Sequence, residues 1–191
     1  NDYLGICIRA AATVEKPVNL ALLIDVSESM SGERLTAVKK TLHCARDIFR
    51  AEDRVTVVTF GEDAKVVVNN LSLAEDGMDR FYAAIDAIST AGCTNLSAGI
   101  EALLTLQVQF DAVMLLTDGV VNRGITSTVG LRTMAQGLWQ LPITALGSGA
   151  DHNRVLLRDL ALMSRGAYVF IDAESLLPTV MGDLIGGVRT E

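Results

Sequence analysis

The chain has 191 residues, 50% of them apolar and 20% charged, enough for one domain with a substantial core and too apolar for a disordered chain. Its net charge is −7, from 16 basic and 23 acidic residues. That balance argues against a broad nucleic-acid surface, because phosphate recognition needs clustered Lys and Arg.

No apolar run reaches the ~20 residues that span a bilayer, and no signal peptide is visible. The chain opens on Asn1 rather than Met, as expected of a domain excised from a longer protein or of a processed product. Cys7, Cys44 and Cys93 are odd in number and widely spaced, forming neither a CxxC metal pair nor a disulfide framework. Cysteine usage therefore favours a reducing, cytoplasmic compartment. Two Asn-x-Ser tripeptides, at Asn70 and Asn95, leave an extracellular setting open, although such tripeptides are common by chance.

Taken in chain order, "YLGICIRA" (3–10) reads as a strand with period-two character. "VNLALLIDV" (18–26) is a continuous apolar run, as in a strand buried on both faces. Leu35, Val38, Leu42, Ala45 and Phe49 recur at steps of three and four, which predicts one helix over about 33–50. "RVTVVTF" (54–60) is a β-branched strand; "GED" is a turn; "AKVVVNN" (64–70) is a second strand. So short a connection makes the pair antiparallel. Helices follow around Phe81, Tyr82, Ile85 and Ile88, and around Leu96, Ile100, Leu103 and Leu104. "FDAVMLLTDG" (110–119) is another buried strand. Leu131, Met134 and Leu138 mark a fourth helix, and "LPITALGSG" (141–149) is a strand running into glycines. Leu156, Leu157 and Leu160 mark a fifth helix, "GAYVFID" (166–172) the last strand, and 174–188 a closing helix weakened by Pro178 and Gly186-Gly187. Strands alternating with helices imply an α/β, mainly parallel sheet with helices on both faces, and one antiparallel strand at an edge.

Sites in such sheets lie at the carboxyl ends of strands, where the strand order reverses. Three polar clusters fall on loops of that kind: Asp25, Ser27 and Ser29 after the first buried strand; "AGCTNLSAG" (91–99), which enters the third helix at about Thr94; and "LLTDG" (115–119), ending at Asp118. Two carboxylates and three hydroxyls make an all-oxygen set, which suits a hard cation such as Mg²⁺. Singly, each such residue is an ordinary helix cap, and Ser29 or Ser31 is expected to cap the helix that starts near Glu33. Asp118 before Gly119 also suits a turn. One helix needs one cap, however, so capping leaves the joint spacing unexplained.

"DVSESMSG" resembles the Asp-x-Ser-x-Ser signature of von Willebrand factor type A domains. "GCTNLSAGI" is similar to that family's Gly-x-Thr loop, and "LLTDGVVNRG" to its Thr-Asp-Gly strand end. "ITALGSGADHNRVLLRDLALMSRGAYVFID" is similar to its C-terminal third. The leading strand resembles the inter-alpha-trypsin-inhibitor-like and bacterial branches more than the integrin branch. The resemblance implies a doubly wound, Rossmann-like sheet of six strands as a single domain over 1–191, with residues 1–17 as a strand extension and 18–191 as the core.

It also implies a metal-ion-dependent adhesion site. Ser27, Ser29 and Thr94 would ligate the cation through their hydroxyls, and Asp25 and Asp118 directly or through water. The cation implied is Mg²⁺, with Mn²⁺ or Ca²⁺ as substitutes. The partner implied is a protein presenting Asp or Glu, with Glu28 and Arg123 on the rim. Other members of the family suggest a second reading, an intracellular scaffold or regulatory subunit of an ATPase-type complex with a structural metal. In the family the closing helix can shift when the site engages a ligand.

Catalytic readings fit less well. A phosphohydrolase with Asp25 as nucleophile would want a second carboxylate at position 27, which is Ser. Neither serine lies in the Gly-x-Ser-x-Gly of a serine hydrolase. His43 is expected to be a partly buried helix residue and His152 a loop or cap residue; neither is placed to serve as a base. "GSGADH" (147–152) lacks the third glycine of a dinucleotide fingerprint. Cys93, where the family commonly has Gly, is expected to be a buried, inert thiol.

Overall fold

The protein is described by a computed structural model covering residues 16–148, 152–171 and 177–189. The strand expected at 3–10 lies outside the described residues. Among the described residues six strands form one sheet: β1 (Asn19–Asp25), β2 (Arg54–Phe60), β3 (Ala64–Ser72), β4 (Ala112–Thr117), β5 (Ile143–Ser148) and β6 (Tyr168–Ile171). Six α-helices of the described residues accompany them: α1 (Glu33–Cys44), α2 (Gly77–Asp86), α3 (Leu96–Thr105), α4 (Thr128–Ala135), α5 (Arg154–Met163) and α6 (Leu177–Arg189).

The strand order is β3-β2-β1-β4-β5-β6. Neighbours pair in parallel except β2 and β3, joined by the short turn at 61–63. β3 lies at the edge of this sheet, and its short connection to β2 makes that pair antiparallel.

Alternation along β1 builds the two faces of the core. Leu20, Leu22 and Ile24 pack with α1, α2 and α6 on one face, whereas Ala21 and Leu23 pack with α3, α4 and α5 on the other. The first helix stops at Cys44, earlier than the apolar stripe suggests. A short 3₁₀ turn over Arg46–Ile48 follows, and Phe49 is already extended. Phe49 still reaches the core, where its ring meets the edge of Phe81 at a centroid distance of 5.8 Å. The stripe thus read burial correctly and helix length incorrectly, because a tighter turn delivers the same side chain to the same core.

Candidate metal centre

β1 and β4 are central neighbours whose chains leave in opposite directions, β1 towards β2 and β4 towards β5. Their departing loops therefore open a crevice at the carboxyl ends of the two strands. Asp25 closes β1 and Asp118 follows the last residue of β4. Ile24 pairs with Leu116, which sets Asp25 beside Thr117. The Thr117 hydroxyl donates to Asp25 Oδ2 and accepts from Gly119 N–H at 2.8 Å. Gly119 has φ of +69°, a turn conformation that suits glycine best. The other Asp25 oxygen accepts from Ser27 N–H at 2.9 Å.

Asp25 is fully buried and has no cationic partner among the described residues. Burial pushes its pKa above the ordinary carboxylate value; the hydrogen bonds from Thr117 and Ser27 oppose that rise, and the nearby charge of Asp118 adds to it. Asp118 is equally buried. Its Oδ1 accepts from Val120 N–H at 3.0 Å and its Oδ2 from Arg34 Nη1 at 3.3 Å.

After Asp25 the chain makes a 3₁₀ turn over Glu28–Met30, pinned by the fully buried Met30 side chain. This turn brings the buried Ser27 and the exposed Ser29 together, with their hydroxyl oxygens 2.9 Å apart. The expected capping role does not materialise: α1 has Gly32 at its N-cap, with no side-chain cap bond from Ser29 or Ser31. Gly32 enters the helix through φ of +73°, and that backbone route leaves both serines outside the capping geometry.

The third component is sewn in by backbone hydrogen bonds. Ala91 N–H donates to Val26 O at 2.7 Å, and Glu28 N–H to Gly92 O at 3.1 Å. Gly61, at the end of β2, permits this approach, since a Cβ there would sit 2.5 Å from Ala91 O. Thr94 is buried; its N–H donates to Asn122 Oδ1 at 2.9 Å, and its carbonyl accepts from Asn122 and Arg123 N–H, both at 3.2 Å. The cap of α3 is Asn95, one residue beyond the expected position, whose Oδ1 accepts from Ala98 N–H at 3.1 Å. With its backbone committed and the capping done by its neighbour, the Thr94 hydroxyl takes no part in the helix cap.

All five predicted residues therefore sit on three loops that are tied to one another at one end of the sheet. Three residues that hold or flank them were not singled out from the sequence. Thr117 was visible as a polar residue inside an apolar strand. Asn122 lay within a quoted motif, and Arg34 carried no signal beyond an ordinary helix surface. The rim expectation for Glu28 and Arg123 matches their exposure, and Arg123 pairs with Glu62 at 2.8 Å. Cys93 is a free thiol, half-buried rather than buried. His43 is exposed rather than partly buried, facing Asp86 and stacked on Tyr82. His152 precedes the α5 cap and faces Tyr168 and Phe170.

A Rossmann-like sheet with an Asp-x-Ser-x-Ser turn, a threonine loop and a second strand-end aspartate at its switch point defines a recognisable class. Residues 18–170 match the family described as von Willebrand factor type A domain, and the chain belongs to that family. Among curated proteins it is similar to the uncharacterized protein YfbK of Escherichia coli (strain K12), 28% identical over 167 residues that cover 82% of this chain and 29% of that one. It is also similar to inter-alpha-trypsin inhibitor heavy chain H1 of Bos taurus, 26% identical over 162 residues, covering 78% and 18%. The chain thus spans less than a third of either relative. Among solved structures it shares the fold of a von Willebrand factor type A protein from Catenulispora acidiphila, with a TM-score of 0.78, 19% identity, and coverage of 91% and 43%. It likewise shares the fold of proximal thread matrix protein 1 from the mussel byssus, solved with a zinc-occupied MIDAS motif, with a TM-score of 0.67, 23% identity, and coverage of 92% and 46%.

Proposed function

We propose that this domain is a non-catalytic, divalent-cation-dependent protein-binding module whose partner presents an Asp or Glu side chain. The observation that supports the reading is that the five oxygen-bearing residues lie on three linked loops at one end of the sheet, with Asp25 lacking a counter-cation among the described residues and the Ser27 and Ser29 hydroxyls paired with each other. This donor set fits a hard cation, with Mg²⁺ the natural occupant and Mn²⁺ or Ca²⁺ acceptable substitutes. The likeness to a mussel protein whose MIDAS motif takes zinc is consistent with this.

Ser27, Ser29 and Thr94 would hold the cation through neutral oxygens, with Asp25 and Asp118 contributing directly or through water. A bound divalent ion supplies concentrated positive charge and open coordination positions to a ligand carboxylate. The protein's own part is preorganisation. Thr117 and Ser27 N–H hold Asp25, Val120 N–H holds Asp118, and Asn122 fixes the Thr94 loop from the other side. With two charged and three uncharged donors, the chain just balances the ion's charge, and the coordination positions it does not fill are open to a partner's carboxylate.

Isothermal titration of Mn²⁺ into the wild type and into Ser27→Ala/Ser29→Ala tests the site. The wild type should bind and the double variant should lose at least tenfold in affinity, a loss of about 1.4 kcal/mol or more. Equal heats in the two proteins would sink the proposal.

A further inference from the structure

Arg34 stands in an unusual place. It is in the first turn of α1, immediately after the Gly32 cap and Glu33, where the helix dipole disfavours a positive charge. Its guanidinium nevertheless folds back over the crevice: Nη1 donates to Ser29 O at 3.0 Å and to Asp118 Oδ2 at 3.3 Å. One end of the contact is buried and the other is not, with Asp118 side-chain exposure of 3% and Arg34 of 38%. No other cationic side chain among the described residues pairs with either carboxylate of the site.

We propose that Arg34 is a tethered counter-cation that competes with the divalent ion for Asp118 and thereby sets the metal affinity of the domain. The inference rests on the metal-site reading above. In the metal-free domain Asp25 and Asp118 repel each other across the crevice, and Arg34 offsets part of that repulsion. When a divalent ion enters, a guanidinium at Asp118 becomes a like-charge neighbour, and Arg34 swings outward on its long, half-exposed stem. The energy Arg34 contributes to the empty site is therefore subtracted from metal binding, as linkage requires. Charge counting shows what this achieves. With both carboxylates ionised, Arg34 leaves the empty site with one net negative charge; a divalent ion in its place balances the two carboxylates, and the displaced guanidinium stays tethered at the rim. That rim charge attracts a ligand carboxylate, which a loaded site without Arg34 would do less well.

The test uses the full chain and Mn²⁺ as the probe, with wild type, Arg34→Gln and Arg34→Lys compared by titration calorimetry and by thermal melting with and without Mn²⁺. Arg34→Gln should bind Mn²⁺ roughly threefold to fivefold tighter than the wild type, the range of a half-exposed ion pair. Arg34→Lys, which keeps the charge but not the fork, should fall between them. Metal-free Arg34→Gln should melt below the wild type, and the difference should vanish at saturating Mn²⁺. Unchanged or weaker Mn²⁺ binding in Arg34→Gln, or a melting deficit that persists in Mn²⁺, overturns the role of Arg34 while leaving the metal site intact. A wild type that takes up no Mn²⁺, like Ser27→Ala/Ser29→Ala, overturns the metal site and this role with it.

Discussion

Asp25 and Asp53 are both carboxylates with essentially no exposure, at 0% and 1%, and they sit at opposite ends of parallel neighbouring strands. Asp53 precedes β2 and is saturated. Its Oδ1 accepts from Val18 N–H at 2.9 Å, and its Oδ2 accepts from Arg50 N–H at 2.8 Å and from the guanidinium of Arg189. Arg189 is itself buried and is the last residue of α6, so one side chain staples the entry to β1, the turn before β2 and the end of the closing helix. Asp25 accepts hydrogen bonds from Thr117 and Ser27, has no cationic partner among the described residues, and has a second negative charge nearby. Burial alone does not distinguish a structural carboxylate from a functional one. The distinction lies in whether the surroundings complete its charge and its lone pairs.

The contrast can be broken most severely at the saturated end. Asp53→Ala should cost about 3–5 kcal/mol in urea unfolding, because it strands Arg189 as a buried, unpaired charge. Combining it with Arg189→Met should recover much of that loss. At the open end the pattern should reverse. Thr94→Val removes a hydroxyl that takes no part in the cap of α3, so urea unfolding should change by less than about 1 kcal/mol, while calorimetry should show Mn²⁺ affinity falling at least tenfold. The smallest effect concerns pH. Because the folded state raises the Asp25 pKa above its ordinary 3.8, the native state holds that proton more tightly than the unfolded chain. Its contribution to metal-free stability is fully present below 3.8 and is lost as pH rises through the higher native value. Unfolding midpoints measured across that window should show this component in the wild type and not in Asp25→Asn.

Much of this was legible in the sequence because it is local. The β-branched run 54–60 coincides with β2, and the polar residues at the ends of β1 and β4 lie in the loops at the sheet's switch point. What was not legible depends on chain segments far apart. Arg34 meets Asp118 across 84 positions, and Arg189 meets Asp53 across 136; no periodicity encodes such pairings. The misassigned caps have a different cause. Ser29, Ser31 and Thr94 are all competent caps by type, and backbone geometry at Gly32 and Asn95 decided against them. The helix ended at Cys44 for a related reason, since the apolar stripe reports which residues are buried and not which turn carries them.

The edge strand β3 has a further consequence. Its pairing with β2 slips in register between Val55 and Val58, and Asn70 takes φ of +47° while its N–H turns to the Thr56 hydroxyl at 2.8 Å. Lys65, Val66 and Asn69 are exposed along the same strand. A kinked border carrying an exposed lysine is a poor template for another chain's strand. This flank of the sheet is thereby guarded against fusing with its own copies at high concentration.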